Sequence, residues 1–308
     1  VTVSPDRISW QRALRLCSLS LVVGVLAYFF GRGLLAAIYL INNLMFKGVF
    51  STVNNSQMTG HISLWAALVP AIGGLIIGII ARYGSPAVRG HGIPEVIETV
   101  LTQQSRVPWK VAILKPICSA ISIGSGGPFG AEGPVIGLGG SLGSLLGQAP
   151  PFKSWERKVL LAAGAAAGIT AVFGCPVAAT LLSLELLLFE FNPISLTAVG
   201  IASACAASLR LGLVGTEPMF PVTALAPSSA WDMAFYVAIG IPLGLVAAGI
   251  TFAVPAAEES FEHLPIHWMW WPAIGGLVVG ALALINPAVL GPGYGAIGDT
   301  LAGRLVGG

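Results

Sequence analysis

Five stretches of this chain are apolar over the length of a lipid bilayer: Leu19–Leu44, Leu64–Tyr83, Ser195–Leu213, Phe235–Val254 and Trp268–Ile285. A full span needs about 20 such residues. Charge is too sparse for any other reading. Of 308 residues, 55% are hydrophobic and 9% charged, where a soluble domain carries about 25% charged residues. The chain is therefore expected to be a multi-span membrane protein with the lipid bilayer as its main partner. Its formal net charge of +2 gives no sign of a nucleic-acid partner.

Four shorter apolar runs, Val111–Ile123, Pro134–Leu146, Val159–Phe173 and Pro176–Phe189, are interrupted by glycine and proline. Broken helices at membrane depth are tolerated only against protein or a wet cavity, and in transporters they mark binding sites near the midplane. Basic residues fall between the runs in three groups: Arg7, Arg12 and Arg15; Arg106, Lys110 and Lys115; Lys153, Arg157 and Lys158. By the positive-inside rule these are cytoplasmic, and the first group predicts a cytoplasmic N-terminal segment over residues 1–17 in an inner or plasma membrane. The first run is longer than a signal-peptide core and is expected to stay as a span. Cys17, Cys118, Cys175 and Cys205 are far apart in apolar segments and are expected to be buried free thiols.

The chain repeats itself. PAIGGLIIG at Pro70–Gly78 returns as PAIGGLVVG at Pro272–Gly280, with seven of nine positions identical; PAVRGHG at Pro86–Gly92 returns as PAVLGPG at Pro287–Gly293, with five of seven identical. The offsets are 202 and 201 residues. Such regularity predicts an internal structural repeat, with a first transmembrane repeat over 18–193 and a partial second one over 194–308. The second copy stops before its own equivalent of the glycine-rich break at 130–134, so either the sequence is part of a longer polypeptide or its second repeat is incomplete.

Two segments read as starts of half-helices: Gly90-His91-Gly92-Ile93-Pro94-Glu95 and Gly130-Ala131-Glu132-Gly133-Pro134. In each, glycines turn the chain and a proline falls in the first helical turn, where a missing N–H costs nothing. A helix start offers unpaired N–H groups and the positive end of the dipole, which together make an anion site without a cationic side chain. Partial charges hold an anion weakly enough for conduction. Glu132 is itself an anion at such a start. Protonated or displaced, it would vacate the site, which makes it a candidate gate or proton carrier; the bland alternative is an acid that satisfies backbone donors. Intramembrane acids usually serve function.

These residues resemble the CLC family of chloride channels and proton-coupled chloride exchangers. GHGIPEV at Gly90–Val96 is similar to the family's GSGIPE motif, and GAEGP at Gly130–Pro134 to its GREGP motif. Gly164–Leu186 resembles the segment that follows, and GPGYGAI at Gly291–Ile297 a glycine-rich turn of the second half. The resemblance implies an all-α, inverted-repeat fold with broken half-helices, a homodimer with one pore per subunit, chloride or a similar small anion and possible proton exchange as cargo, and no cofactor or metal. It implies that Glu132 is the gate, that the backbone of Ala131, Glu132 and Gly133 forms the outer anion site, and that Gly90, His91, Gly92 and Ile93 line the inner and central sites.

Four departures qualify that reading. His91 replaces a serine; its imidazole either donates to the anion or turns away to a loop carbonyl. Ala131 replaces an arginine, leaving the outer field less positive. Glu185 matches the first of two inner acids, but Leu186 takes the proton-relay position, which favours a channel or uncoupled carrier; Glu190, one turn on, is the candidate substitute. The GxFxP motif and the pore tyrosine would fall beyond residue 308. His263 and His267 lie beside Glu258, Glu259 and Glu262, but Pro265 breaks the helix that would align them as metal ligands, and Trp268, Trp270 and Trp271 follow as in an interfacial belt. The rival functions are an exchanger with another inner proton route, a non-conducting partner subunit, and a membrane enzyme using Glu132, for which no nucleophile or metal constellation is near.

Overall fold

The structure, a computed structural model, describes residues 9–54, 62–89, 92–149, 152–222 and 229–303; Gly90, His91 and His61 lie outside the described residues. Those described form eleven α-helices and no strand. The five predicted spans are α1 (Trp10–Lys47), α2 (Leu64–Tyr83), α8 (Pro193–Leu213), α9 (Ala230–Glu262) and α10 (Trp271–Ile285, preceded by a 3-10 turn over Trp268–Trp270), and all five segments are long and apolar enough to cross a membrane. The broken runs become α4 (Trp109–Gly124), α5 (Glu132–Gly147), α6 (Ser154–Phe173) and α7 (Pro176–Ser183). Two short helices, α3 (Ile93–Thr102) and α11 (Tyr294–Leu301), each follow a PAV 3-10 turn.

Helix α6 is the core. Leu160 to Ala167 are buried without a break, and Val23, Leu184, Ala198 and Ala202 pack on it from α1, the end of α7 and α8. Its run of alanine and glycine explains this position. A Cβ on Gly164 would press on the carbonyl of Gly139 in α5, and one on Gly139 on that of Gly164; Gly143 meets Leu160 and Gly168 meets Val135 in the same way. Small residues let backbones approach closely, which is how helices associate where burial from water is not available as a driving force. Thr170 and Ser203 share a hydrogen bond of 2.7 Å, and Ser203 donates to the Pro176 carbonyl at 3.0 Å, tying α6, α8 and the start of α7 together.

The sequence repeat becomes a physical contact. In α2, a Cβ on Gly74 would strike the Pro272 carbonyl and one on Gly78 that of Met269; in α10, one on Gly276 would strike the Pro70 carbonyl and one on Gly280 that of Ala67. Each contact maps onto another when 202 is added to one partner and subtracted from the other. The pairs also run in opposite order along the two helices. The contact is thus isologous and antiparallel, related by a pseudo-two-fold axis perpendicular to both helices. For spanning helices that axis lies in the membrane plane, as in an inverted repeat.

The basic groups gather at one end of the bundle. Arg12 pairs with Glu156 at 3.2 Å, Arg157 donates to the Gln104 carbonyl at 2.9 Å, and Lys158 donates to the Leu188 carbonyl at 2.6 Å. Lys115 departs from the grouping expected for it. It lies a turn and a half beyond Lys110 in α4 and forms an ion pair with Glu95 of α3, both half-buried. Helix α9 has no buried residue. A helix apolar on every side requires lipid or protein around it.

Candidate functional site

The two predicted half-helix starts meet. Gly92 caps α3 with φ of 62°, a left-handed conformation that favours glycine. A Cβ there would lie 3.0 Å from the Gly133 Cα, and a Cβ on Gly133 would lie 3.3 Å from the Gly92 Cα and 3.9 Å from the Ile93 nitrogen. The positive ends of α3 and α5 therefore meet, backbone against backbone. The first intrahelical bonds are Val96 N–H to Gly92 and Val135 N–H to Ala131. No protein acceptor among the described residues takes the N–H groups of Ile93, Glu132 or Gly133. Five of the seven predicted anion-site residues are thus described, and they cluster. Gly90 and His91 fall outside.

Glu132 opens α5 and is exposed. Its carboxylate folds back over Gly130, where a Cβ would collide with it. Ala131 is buried, and its N–H is already used: it donates to the hydroxyl of Tyr294 at 3.0 Å. That hydroxyl in turn donates to Glu132 Oε1 at 3.4 Å. The sequence reading counted Ala131 among the anion donors and missed Tyr294. The signal existed in the repeat, since Tyr294 occupies the place in the second copy that Ile93 holds in the first, 201 residues earlier. Tyr294 also floors an open vestibule of about 610 Å³, whose charged lining comprises Arg32, Lys47, Arg210 and Glu217.

Two of the three inner candidates, Glu185 and Leu186, lie on a π-helical turn, Leu184–Leu188, that follows α7, and Glu190 lies just beyond it. Such turns often accompany functional sites. Glu185 is exposed there. Leu186 is half-buried and borders, with Ile93, Ile136 and Ile169, a void of about 10 Å³. Glu190 lies outside this pocket's lining and accepts a hydrogen bond from Ser195 at 3.2 Å. Among the described residues, this void between Leu186 and Ile93 is lined by aliphatic side chains and the hydroxyl of Ser183.

The cysteines are free thiols: Cys118 is buried, as predicted, while Cys17, Cys175 and Cys205 are only half-buried. The two connector histidines bond to backbone. His263 Nδ1 is 2.8 Å from the Glu259 carbonyl, and His267 Nδ1 accepts the Met269 N–H at 3.2 Å.

Comparison with known proteins agrees with this geometry. Solved structures of a CLC-type fluoride/proton antiporter (TM-score 0.81, 19% identical, 98% of this chain and 73% of that one) and of a slow cyanobacterial Cl-/H+ antiporter (TM-score 0.77, 20% identical, 96% and 68%) share the fold. The voltage-gated ClC-type chloride channel ClcB of Escherichia coli is 30% identical over 284 residues, and a ClcB-like protein of Ralstonia nicotianae is 27% identical over 242. The chain spans 66% and 56% of the lengths of these two relatives and is itself covered to 90% and 77%. The sequence profile of the voltage gated chloride channel family matches residues 73–307. This all-α, multi-span membrane chain belongs to that family.

Proposed function

We propose that the native protein moves chloride or a similar small anion across the membrane, with Glu132 as its gate, and that it does so without proton transfer through position 186. The observation that carries the reading is the meeting of the α3 and α5 starts at Gly92 and Gly133, with Glu132 in the first turn of α5 beside them. Two sets of backbone donors attract an anion there without trapping it. The vestibule cations Arg32, Lys47 and Arg210 supply the outer field that an arginine at position 131 would otherwise give. Chloride, in particular, is supported by what the ClcB relatives are named for. The clustered basic residues support a cytoplasmic N-terminus, and the family resemblance a homodimer in the plasma membrane.

The aliphatic wall around Leu186 supports the uncoupled form, because leucine holds no proton. The test is chloride flux from liposomes holding the full native polypeptide, with proton movement recorded in parallel. Chloride efflux without protons, together with loss of pH dependence in Glu132→Gln, is the expected result. Uphill proton movement driven by a chloride gradient would refute the uncoupled form and identify an exchanger with another inner route. A wild-type pH profile in Glu132→Gln would remove Glu132 as the gate.

A further inference from the structure

Tyr294 belongs to the second repeat but acts on the first. Its hydroxyl accepts the Ala131 N–H at 3.0 Å, which leaves its single proton for Glu132 Oε1 at 3.4 Å. The ring is held edge-on by Phe173, at the end of α6, with centroids 6.3 Å apart, and by Phe220, in the loop after α8, at 5.9 Å. The turn before α11 is strapped to the loop before α5 by a 3.0 Å bond from Gly291 N–H to the Gly126 carbonyl. Three elements thus fix a phenol whose two hydrogen-bonding functions both point at the start of α5. At the equivalent place of the first repeat stands Ile93, which has no such group. The repeat is broken at the residue that reaches the carboxylate.

We propose that Tyr294 is a latch: its hydroxyl holds the Glu132 side chain in the closed position and occupies the Ala131 N–H, so that an anion gains this outer donor only when the hydroxyl lets go. The inference rests on the reading of Glu132 as the gate. Tyr294 is a positioning residue in this scheme, acting through Glu132. The other titratable and charged groups nearby are Tyr39, Arg32 and Lys47 from α1, Arg210 from α8 and Glu217 from the loop after it, all around the vestibule. The Glu95–Lys115 pair lies further along α5, beside Gly137 and Ser141. Of these side chains, Tyr294 is the one with a hydrogen bond to Glu132 among the described residues.

The test is the pH profile of chloride flux in liposomes for the full native polypeptide carrying Tyr294→Phe, Glu132→Gln or both. Tyr294→Phe keeps the ring and its two aromatic neighbours. A hydrogen bond to a charged group, at the weak end for this length, corresponds to about a tenfold change in equilibrium. Flux at neutral pH, where the gate is closed, should therefore rise about tenfold, and flux at acid pH, where it is already open, should not change. In the Glu132→Gln background the same substitution should change flux less than about twofold. A wild-type profile for Tyr294→Phe alongside a flattened one for Glu132→Gln overturns the latch and leaves the gate standing. A wild-type profile for Glu132→Gln overturns both. Replacement of Tyr294 by 3-fluorotyrosine, which keeps ring and hydroxyl and strengthens donation, should lower neutral flux. It tests the latch even if Tyr294→Phe fails to fold, and unchanged or raised flux would overturn it.

Discussion

Gly275 and Gly276 are neighbours in α10 with opposite surroundings. An ideal Cβ on Gly275 meets nothing within 4 Å, whereas one on Gly276 would lie 2.5 Å from the carbonyl carbon of Pro70 and 2.6 Å from the nitrogen of Ala71. Ordinary carbon contacts begin near 3.5 Å, so Gly276→Ala must move α10 about 1 Å off α2. The obstacle is backbone, which has no rotamer to escape into. Overpacking of this kind costs about 1–3 kcal/mol, and the upper half of that range is expected here. Gly275→Ala should be neutral or stabilise by up to about 1 kcal/mol, through lower unfolded-chain entropy. The pseudo-two-fold adds a sharper expectation. Gly74→Ala presses on Pro272 as Gly276→Ala presses on Pro70, so the two should destabilise alike. Their double variant should lose clearly less than the sum, because one displacement of α10 accommodates both methyl groups. Unfolding of the four variants in mixed micelles measures this. Equal effects for Gly275→Ala and Gly276→Ala, or full additivity of Gly74→Ala and Gly276→Ala, would refute the reciprocal contact.

Three further outcomes follow from the site and its supports. Gly130→Ala inserts a methyl group where the Glu132 carboxylate lies; the carboxylate is the movable partner, so neutral-pH chloride flux should rise, and an unchanged flux would show that the folded-back position is not the closed one. Leu186→Glu places an acid beside Ile93 and Ile136; parallel recording of chloride and protons should show more proton movement per chloride than in the wild type, and an unchanged ratio would show that position 186 does not control coupling. Glu156, 2% exposed, accepts from both Arg12 and the Lys153 N–H; Glu156→Ala should destabilise by about 1–3 kcal/mol, read by thermal unfolding, with chloride selectivity unchanged.

What the sequence disclosed depended on whether the cause was local. The ends of α2 fall where its hydropathy does, because the bilayer sets the length of a span and Ser63 caps the start through the Ala66 N–H at 3.2 Å. Gly92 and Gly133 were legible for the same kind of reason: a turn into a helix start with proline in the first turn has few other uses inside an apolar chain. Lys115 was misplaced because position along the chain does not record how far up α4 a side chain lies, nor that α3 returns beside it with Glu95. Ala131 was assigned a free N–H because its partner is 163 residues away.

Tyr294 shows where the boundary between the two cases lies. Its motif was visible, and the repeat placed it opposite Ile93, a residue already singled out for the site. The repeated motifs alone do not show that the second copy turns back on the first; only the family resemblance implied it. That fact resides in α2 and α10, whose glycines contact one another in reverse order. An antiparallel pseudo-two-fold brings the start of each copy's short helix to the same region of the bundle, so the residue after Gly293 reaches the break at 130–134 as surely as the residue after Gly92 does. Equivalent positions in an inverted repeat converge on one site, and differences between them mark where the copies have taken separate tasks. On this ground Ile93 presents its backbone to the start of α5, whereas Tyr294 presents a hydroxyl to the Glu132 carboxylate.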